Sequence, residues 1–93
     1  MTTRIDRTTV LALLGGREEL LELLVEEGFL PSDDGALTAA HAEIARVVCT
    51  LSDDLDVNWA GVEVILRLRS QLIATRQQVG RLLELLRTDR QER

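Results

Sequence analysis

The chain has no lysine and no tyrosine, and only one each of cysteine, proline, histidine, tryptophan and phenylalanine. Each scarcity excludes something. One cysteine, Cys49, allows no intrachain disulfide. One histidine, His41, with no cysteine beside it, cannot complete a zinc-type ligand set. No apolar run approaches the roughly 18 residues of a membrane span. No apolar core of a secretion signal marks the N-terminus, so the expected location is the cytoplasm. Few aromatics remain to build a core, so aliphatic side chains must supply it.

What is present is charge, unevenly distributed. The 93 residues carry net −5. Residues 1–35 hold three Arg against eight acids, residues 36–66 one Arg against five, and residues 67–93 seven Arg against three. An acidic head therefore precedes a basic tail. A chain of this length supports one domain and buries only about 60–65% of its unfolded surface, so self-association would help it.

Periodicity predicts helices throughout. Asp6 is placed to cap a short helix carrying Val10, Leu13 and Leu14, and Gly15-Gly16 ends it. Arg17 to Glu27 reads as a second helix with Leu20, Leu21, Leu24 and Val25 on one side. Gly28 stands where a left-handed C-terminal cap is wanted. Two short helices joined by a glycine turn suggest a helix-turn-helix. Phe29-Leu30-Pro31 reads as extended and Ser32-Asp33-Asp34-Gly35 as a turn, so Ala36-Leu37 is expected to return beside Phe29-Leu30 as a minimal wing hairpin. Thr38 caps a third helix over about 39–54, with Ala40, Ile44, Val47, Val48, Leu51 and Leu55 as its apolar set.

Asn58 caps the longest element, expected to run from Trp59 to about Arg90, on the order of 45 Å. Ile65, Leu68, Leu72, Thr75, Val79, Leu82 and Leu86 alternate three- and four-residue steps, a heptad seam for dimerisation. The expected division is a head over 1–57, a dimerisation helix over 58–90 and a frayed tail over 91–93. Trp59 is expected to plug the core.

No residue set argues for catalysis. Cys49 lies among Val47, Val48 and Leu51 with no base beside it, as a small core thiol would. Carboxylate pairs such as Glu18/Glu22 and Asp53/Asp54 sit on faces that read as solvated. Gly15-Gly16 lacks the spacing of a phosphate-binding loop. The Arg-rich tail mixes with Glu84, Asp89 and Glu92 and carries no interleaved aromatics, so a solvated helix end is its reading. The chain is expected to be no enzyme and to need no cofactor.

Two stretches carry a resemblance. Glu26-Glu27-Gly28-Phe29-Leu30-Pro31 resembles the end of the second helix in the MerR-type winged-helix family. Asn58-Trp59-Ala60-Gly61-Val62 falls where that family starts its next helix after a polar cap. Within this group, Leu55-Asp56-Val57-Asn58-Trp59-Ala60-Gly61-Val62-Glu63-Val64-Ile65-Leu66-Arg67-Leu68 is similar to the chaperone modulators of the CbpM family. The acidic residue, the Trp, the Gly two residues after it and the aliphatic run that follows are the most specific elements. The resemblance implies an all-α homodimer that binds the J-domain of a DnaJ-type co-chaperone (CbpA) and keeps it from DnaK.

A DNA-binding MerR-type regulator, such as the family's heat-shock repressors, is the competing expectation. Phosphate contacts and base reading call for Arg and Lys on the second helix and the wing. Here the second helix has one Arg and five Glu, and the wing has Asp33 and Asp34 with no basic residue. A basic protein surface suits such a face better than nucleic acid does. The partner-binding candidates are Glu18, Glu19, Glu22 and Glu26, then Asp33 and Asp34, then Asp53, Asp54 and Asp56. The dimer candidates are Ile65, Leu68, Leu72, Val79, Leu82 and Leu86.

Overall fold

In a computed structural model, residues 5–91 are described. The fold is all-α and ends in a long helix: α1 (Arg7–Leu13), α2 (Glu18–Glu26), α3 (Ala39–Cys49) and α4 (Trp59–Gln91). Of the residues expected to fray, 91–93, Gln91 is the last residue of α4, and 92 and 93 lie outside the described range. The chain divides into two compact units, Met1–Val62 and Glu63–Arg93.

In the first unit, α1 begins as its sequence requires. The Asp6 carboxylate accepts the Thr9 backbone N–H at 2.8 Å and the Thr9 hydroxyl at 2.8 Å. These bonds satisfy a donor that the first helical turn leaves unpaired. At the other end Gly15 and Gly16 both take left-handed backbone angles, φ +71° and +77°. Side chains adopt that conformation only at a steric cost, so the glycine pair suits the turn that separates α1 from α2. Gly28 closes α2 at φ +82°.

The expected wing hairpin is absent; no strand occurs among the described residues. The local hydrogen bonds explain why. The N–H groups of Phe29 and Leu30 both turn back onto the Leu24 carbonyl, at 2.9 and 3.2 Å. Those of Ala36 and Leu37 close a 3₁₀ turn over Asp34–Ala36 by bonding Asp33 and Asp34 carbonyls at 3.0 and 3.3 Å. Donors satisfied at this range are not left to form a ladder.

Thr38 opens α3, where the Nδ1 of His41 accepts the Thr38 backbone N–H at 2.9 Å. This is the reciprocal half of a capping box, with His in the place of Glu or Gln. The buried face of α3 is Ala42, Ala45 and Val48, with Leu51 beyond the helix. Sequence reading put Ala40, Ile44 and Val47 inside. Ala40 is exposed, while Ile44 and Val47 are half-buried. The small side chains at 42 and 45 lie on the buried side of α3, and α3 packs against α1.

After Cys49 the helix widens into a π turn, Thr50–Asp54. The Leu55 N–H reaches back five residues to the Thr50 carbonyl at 3.2 Å. The extra residue rotates Leu55 away from the face of Leu51, so Leu55, expected in the apolar set of this helix, stands 63% exposed. Asp56 follows in the left-handed region at φ +54°.

The core of this unit is aliphatic: Val10, Leu14, Leu21, Leu24, Leu30, Ala42, Ala45, Val48, Leu51 and Val62. Trp59 is half-buried, not the core plug its size suggested. It occupies the first turn of α4, just after Asn58, whose side chain accepts the Gly61 N–H at 2.9 Å.

In the second unit Leu66 is buried. Val64, Leu68, Leu72, Val79, Leu82, Leu83, Leu85 and Leu86 are each between 49% and 66% exposed. Of the seam candidates only Ile65 is half-buried. At about 100° per residue, the exposed stripe lies well around the helix from Val62 and Leu66.

Two glycines of α4 are expected to respond in opposite directions to alanine. A Cβ at Gly61 would meet the Val57 Cγ1 at 2.6 Å, whereas one at Gly80 would meet nothing within 4 Å. Overpacking costs about 1–3 kcal/mol, which outweighs the roughly 1 kcal/mol that alanine gains over glycine in a helix. Gly61→Ala should therefore lower the urea midpoint and Gly80→Ala raise it. Val57→Ala added to Gly61→Ala should restore the midpoint.

Candidate functional site

The acidic candidates do not form one site. Several serve the fold. Asp33 accepts the Gly35 N–H at 3.0 Å and shapes the 3₁₀ turn. Asp34 accepts the Arg7 N–H at the start of α1, a placement the helix dipole favours. Asp53 is held by Arg17, whose Nη1 and Nη2 donate to its two oxygens at 2.8 and 3.1 Å. Asp54 and Asp56 are exposed at and after the π turn.

Glu18, Glu19, Glu22 and Glu26 make a different pattern. All four are exposed and lie within one arc of α2. Among the described residues no ion pair reaches them. The opposite side of the helix is anchored by Leu21 and Leu24, both buried. Half-buried Leu20 and Leu23 border the acids on one side and half-buried Val25 on the other.

Two shallow depressions follow these borders. One of about 320 Å³ is lined by Gly16, Arg17, Glu18, Glu19, Leu20 and Leu23. The other, about 190 Å³, is lined by Arg7, Glu22, Val25 and Glu26. Glu18 and Glu19 gain from the positive end of the helix dipole. The i,i+4 pairs Glu18/Glu22 and Glu22/Glu26 repel, each costing about 0.2–0.5 kcal/mol in an isolated helix. Glu22 and Glu26 have no such gain from the dipole, and the face sets acids beside apolar surface that water does not favour.

The orientation of α2 is set by a cluster that sequence reading missed. Arg17, the residue before α2, donates from Nε to the Leu14 carbonyl at 2.7 Å while its two Nη atoms grip Asp53. Cys49 donates its thiol to the same carboxylate at 3.1 Å. One guanidinium so joins the end of α1, the start of α2 and the π turn after α3. The only local hint was a single basic residue between Gly16 and a run of glutamates. Nothing in the spacing foretold a partner 36 residues away.

Cys49 is therefore more than packing, but it is not activated. The bond it donates to Asp53 pushes its pKa up, and desolvation and the Asp53 charge add to this against the opposing pull of Arg17. A thiol so held is a poor nucleophile. The same bond, with Arg17, holds the Asp53 carboxyl below its ordinary range.

Among the described residues no group of three or more His, Cys, Asp or Glu side chains could hold a metal ion. No helix among them is long and apolar enough to cross a membrane. Comparison with family models, curated proteins and solved structures gives no match.

The cluster imposes two pH limits. Asp53, with its pKa below the ordinary 3.8, contributes stability that is complete above that value and is lost as pH falls through the folded pKa. Cys49, raised above 9.0, contributes stability that is complete below 9.0 and is lost as pH rises through its folded pKa. The gap in thermal midpoint between wild type and Asp53→Asn should hold near neutrality and narrow below about pH 4. The gap between wild type and Cys49→Ala should narrow above about pH 9.

Proposed function

We propose that this chain is a chaperone modulator of the CbpM type, a homodimer that binds the J-domain of a DnaJ-type co-chaperone and blocks its engagement with DnaK. The observation that carries this reading is the exposed, unneutralised acid arc of Glu18, Glu19, Glu22 and Glu26 with its apolar borders. In a helix-turn-helix that reads DNA, the second helix meets phosphate and needs cations. Here it would be repelled. The J-domain's DnaK-binding helix is basic, and the α2 arc complements it in charge. Leu20, Leu23 and Val25 supply the apolar area that turns charge steering into a held complex. Inhibition follows from occupancy, since a J-domain helix covered by α2 has no surface left for DnaK.

The exposed stripe of α4 supports the dimer. Leu68, Leu72, Val79, Leu82 and Leu86 repeat at coiled-coil spacing on a helix of 33 residues, each at least about half exposed. A monomer would leave that seam in water.

Titration of the full chain with a J-domain should give a complex whose affinity falls with salt. The double charge reversal Glu22→Arg/Glu26→Arg should weaken it at least tenfold with helical content unchanged. Full affinity in the reversed variant, or no complex at low salt, would remove the J-domain reading. Specific retardation of promoter DNA by the wild type would favour a DNA-binding regulator instead. Independently, sedimentation should show a dimer that Leu72→Asp dissociates. Leu72 is 51% exposed, so this change leaves the core intact.

A further inference from the structure

The seam of α4 alternates two kinds of position. Ile65, Leu72, Val79 and Leu86 take one, and Leu68, Thr75 and Leu82 take the other. Leu68, Leu72, Val79, Leu82 and Leu86 are 49–62% exposed, and Thr75 is exposed too. Two rows flank the seam. One holds Arg69, Arg76, Leu83 and Arg90; the other holds Val64, Gln71, Gln78 and Leu85. Neither row contains an acid. Among the described residues no ion pair reaches Arg69, Arg76 or Arg90. The seam position after Leu86 is Asp89, a carboxylate unsuited to an apolar layer, so the seam ends there.

A second α4 can lie on this seam in either direction, and the two directions pair different residues. Between antiparallel helices each flanking row meets its own counterpart. Every such register that overlaps three or four positions of the arginine row sets at least one Arg against Arg. Between parallel helices the arginine row meets the other row. Arg69 of one copy then faces Val64 of the other, Arg76 faces Gln71, Leu83 faces Gln78 and Arg90 faces Leu85. No like charges meet, and the Gln71 side-chain oxygen can accept from Arg76. The arginine stems are free to lie over apolar surface.

The seam residues argue the same way independently. Antiparallel helices set one kind of seam position against the other, so Thr75 would meet Ile65, Leu72, Val79 or Leu86, all aliphatic. Parallel helices in register set Thr75 against Thr75, where two hydroxyls can bond each other. A lone polar layer in an apolar seam fixes register. Ile65 and Val79 at one position, with Leu68 and Leu82 at the other, also follow the pattern that favours two parallel strands.

We infer that α4 of two copies forms a parallel, in-register coiled coil from Leu68 to Leu86. The inference rests on the self-association proposed above and adds its direction.

The test uses the full chain carrying Cys49→Ala, so that each added thiol is the only one. Leu68→Cys and Leu82→Cys are made separately and mildly oxidised. Both should give a disulfide-linked dimer, because in a parallel pair every seam residue meets its own copy. In an antiparallel pair at most one of them can, since the two positions lie about 21 Å apart along the helix. Gln77→Cys, on the face away from the seam, should not link. In sedimentation, Gln71→Glu should tighten the dimer about threefold by pairing with Arg76 of the other copy, and adding Arg76→Gln should abolish the gain. Residues 71 and 76 are exposed, so circular dichroism should show unchanged helix. Linkage at one position only, or at neither, in variants that still sediment as dimers would overturn the parallel direction and leave the dimer standing. An unaltered affinity in Gln71→Glu would do the same. A wild-type chain that stays monomeric would overturn both.

Discussion

Arg17 grips the end of α1 and the π turn with one guanidinium, and the acidic helix α2 starts at the next residue. The planar fork matches the Asp53 carboxylate in two parallel bonds, and Nε remains for the Leu14 carbonyl. This geometry matters because the Gly15-Gly16 turn is permissive and would tolerate many exit directions for α2. The hydrophobic anchors Leu21 and Leu24 fix which side of α2 faces inward. Arg17 fixes where its first turn lies. The arc of four glutamates inherits its position from both. A lysine at 17 would keep the charge and lose the fork, and with it the definition of the face.

The legible part of the fold was the part governed by local rules. Asp6, Thr38 and Asn58 all cap as their positions implied, and Gly28 ends α2 in the left-handed region. Helix ends depend on a few adjacent residues, so sequence suffices there. Several features escaped, three of them for a nonlocal or finely balanced reason. The wing failed because Phe29 and Leu30 found a closer acceptor in Leu24 than any strand partner. Leu55 failed because the π turn shifts register by one residue, which no periodicity reveals. The inward face of α3 was misread because Ala42 and Ala45 are weak hydrophobic signals, yet small side chains let a helix approach its neighbours closely. The candidate acids separated only once their partners were visible. Asp33, Asp34 and Asp53 are occupied by backbone or Arg17, whereas the α2 glutamates are not.

Hydrophobic burial places a second demand on the chain. Its first unit closes on ten aliphatic side chains, an economical core with no buried polar group among the described residues. The long helix then adds eight large aliphatic residues that stay about half exposed or more. Burying one such side chain is worth roughly 1.5–3 kcal/mol. Leaving eight in water is a liability on the scale of the whole stability of a small domain. Isolated exposed leucines need no explanation. A periodic row of them on one helix does, because the spacing concentrates the area into a single surface that another helix can cover.

Charge and apolar area therefore argue for separate tasks. The α4 stripe is neutral along its seam and suits association by burial, which depends little on salt. The α2 arc is strongly acidic with only modest apolar borders, which suits a partner steered by charge and held reversibly. Buried charge is expensive unless paired, so the four glutamates would be a poor surface for a permanent interface. At the edge of a transient one they stay partly solvated and still select a basic partner. On the proposed reading, that division lets a chain too small for a large core keep one surface for its own copy and another for exchange.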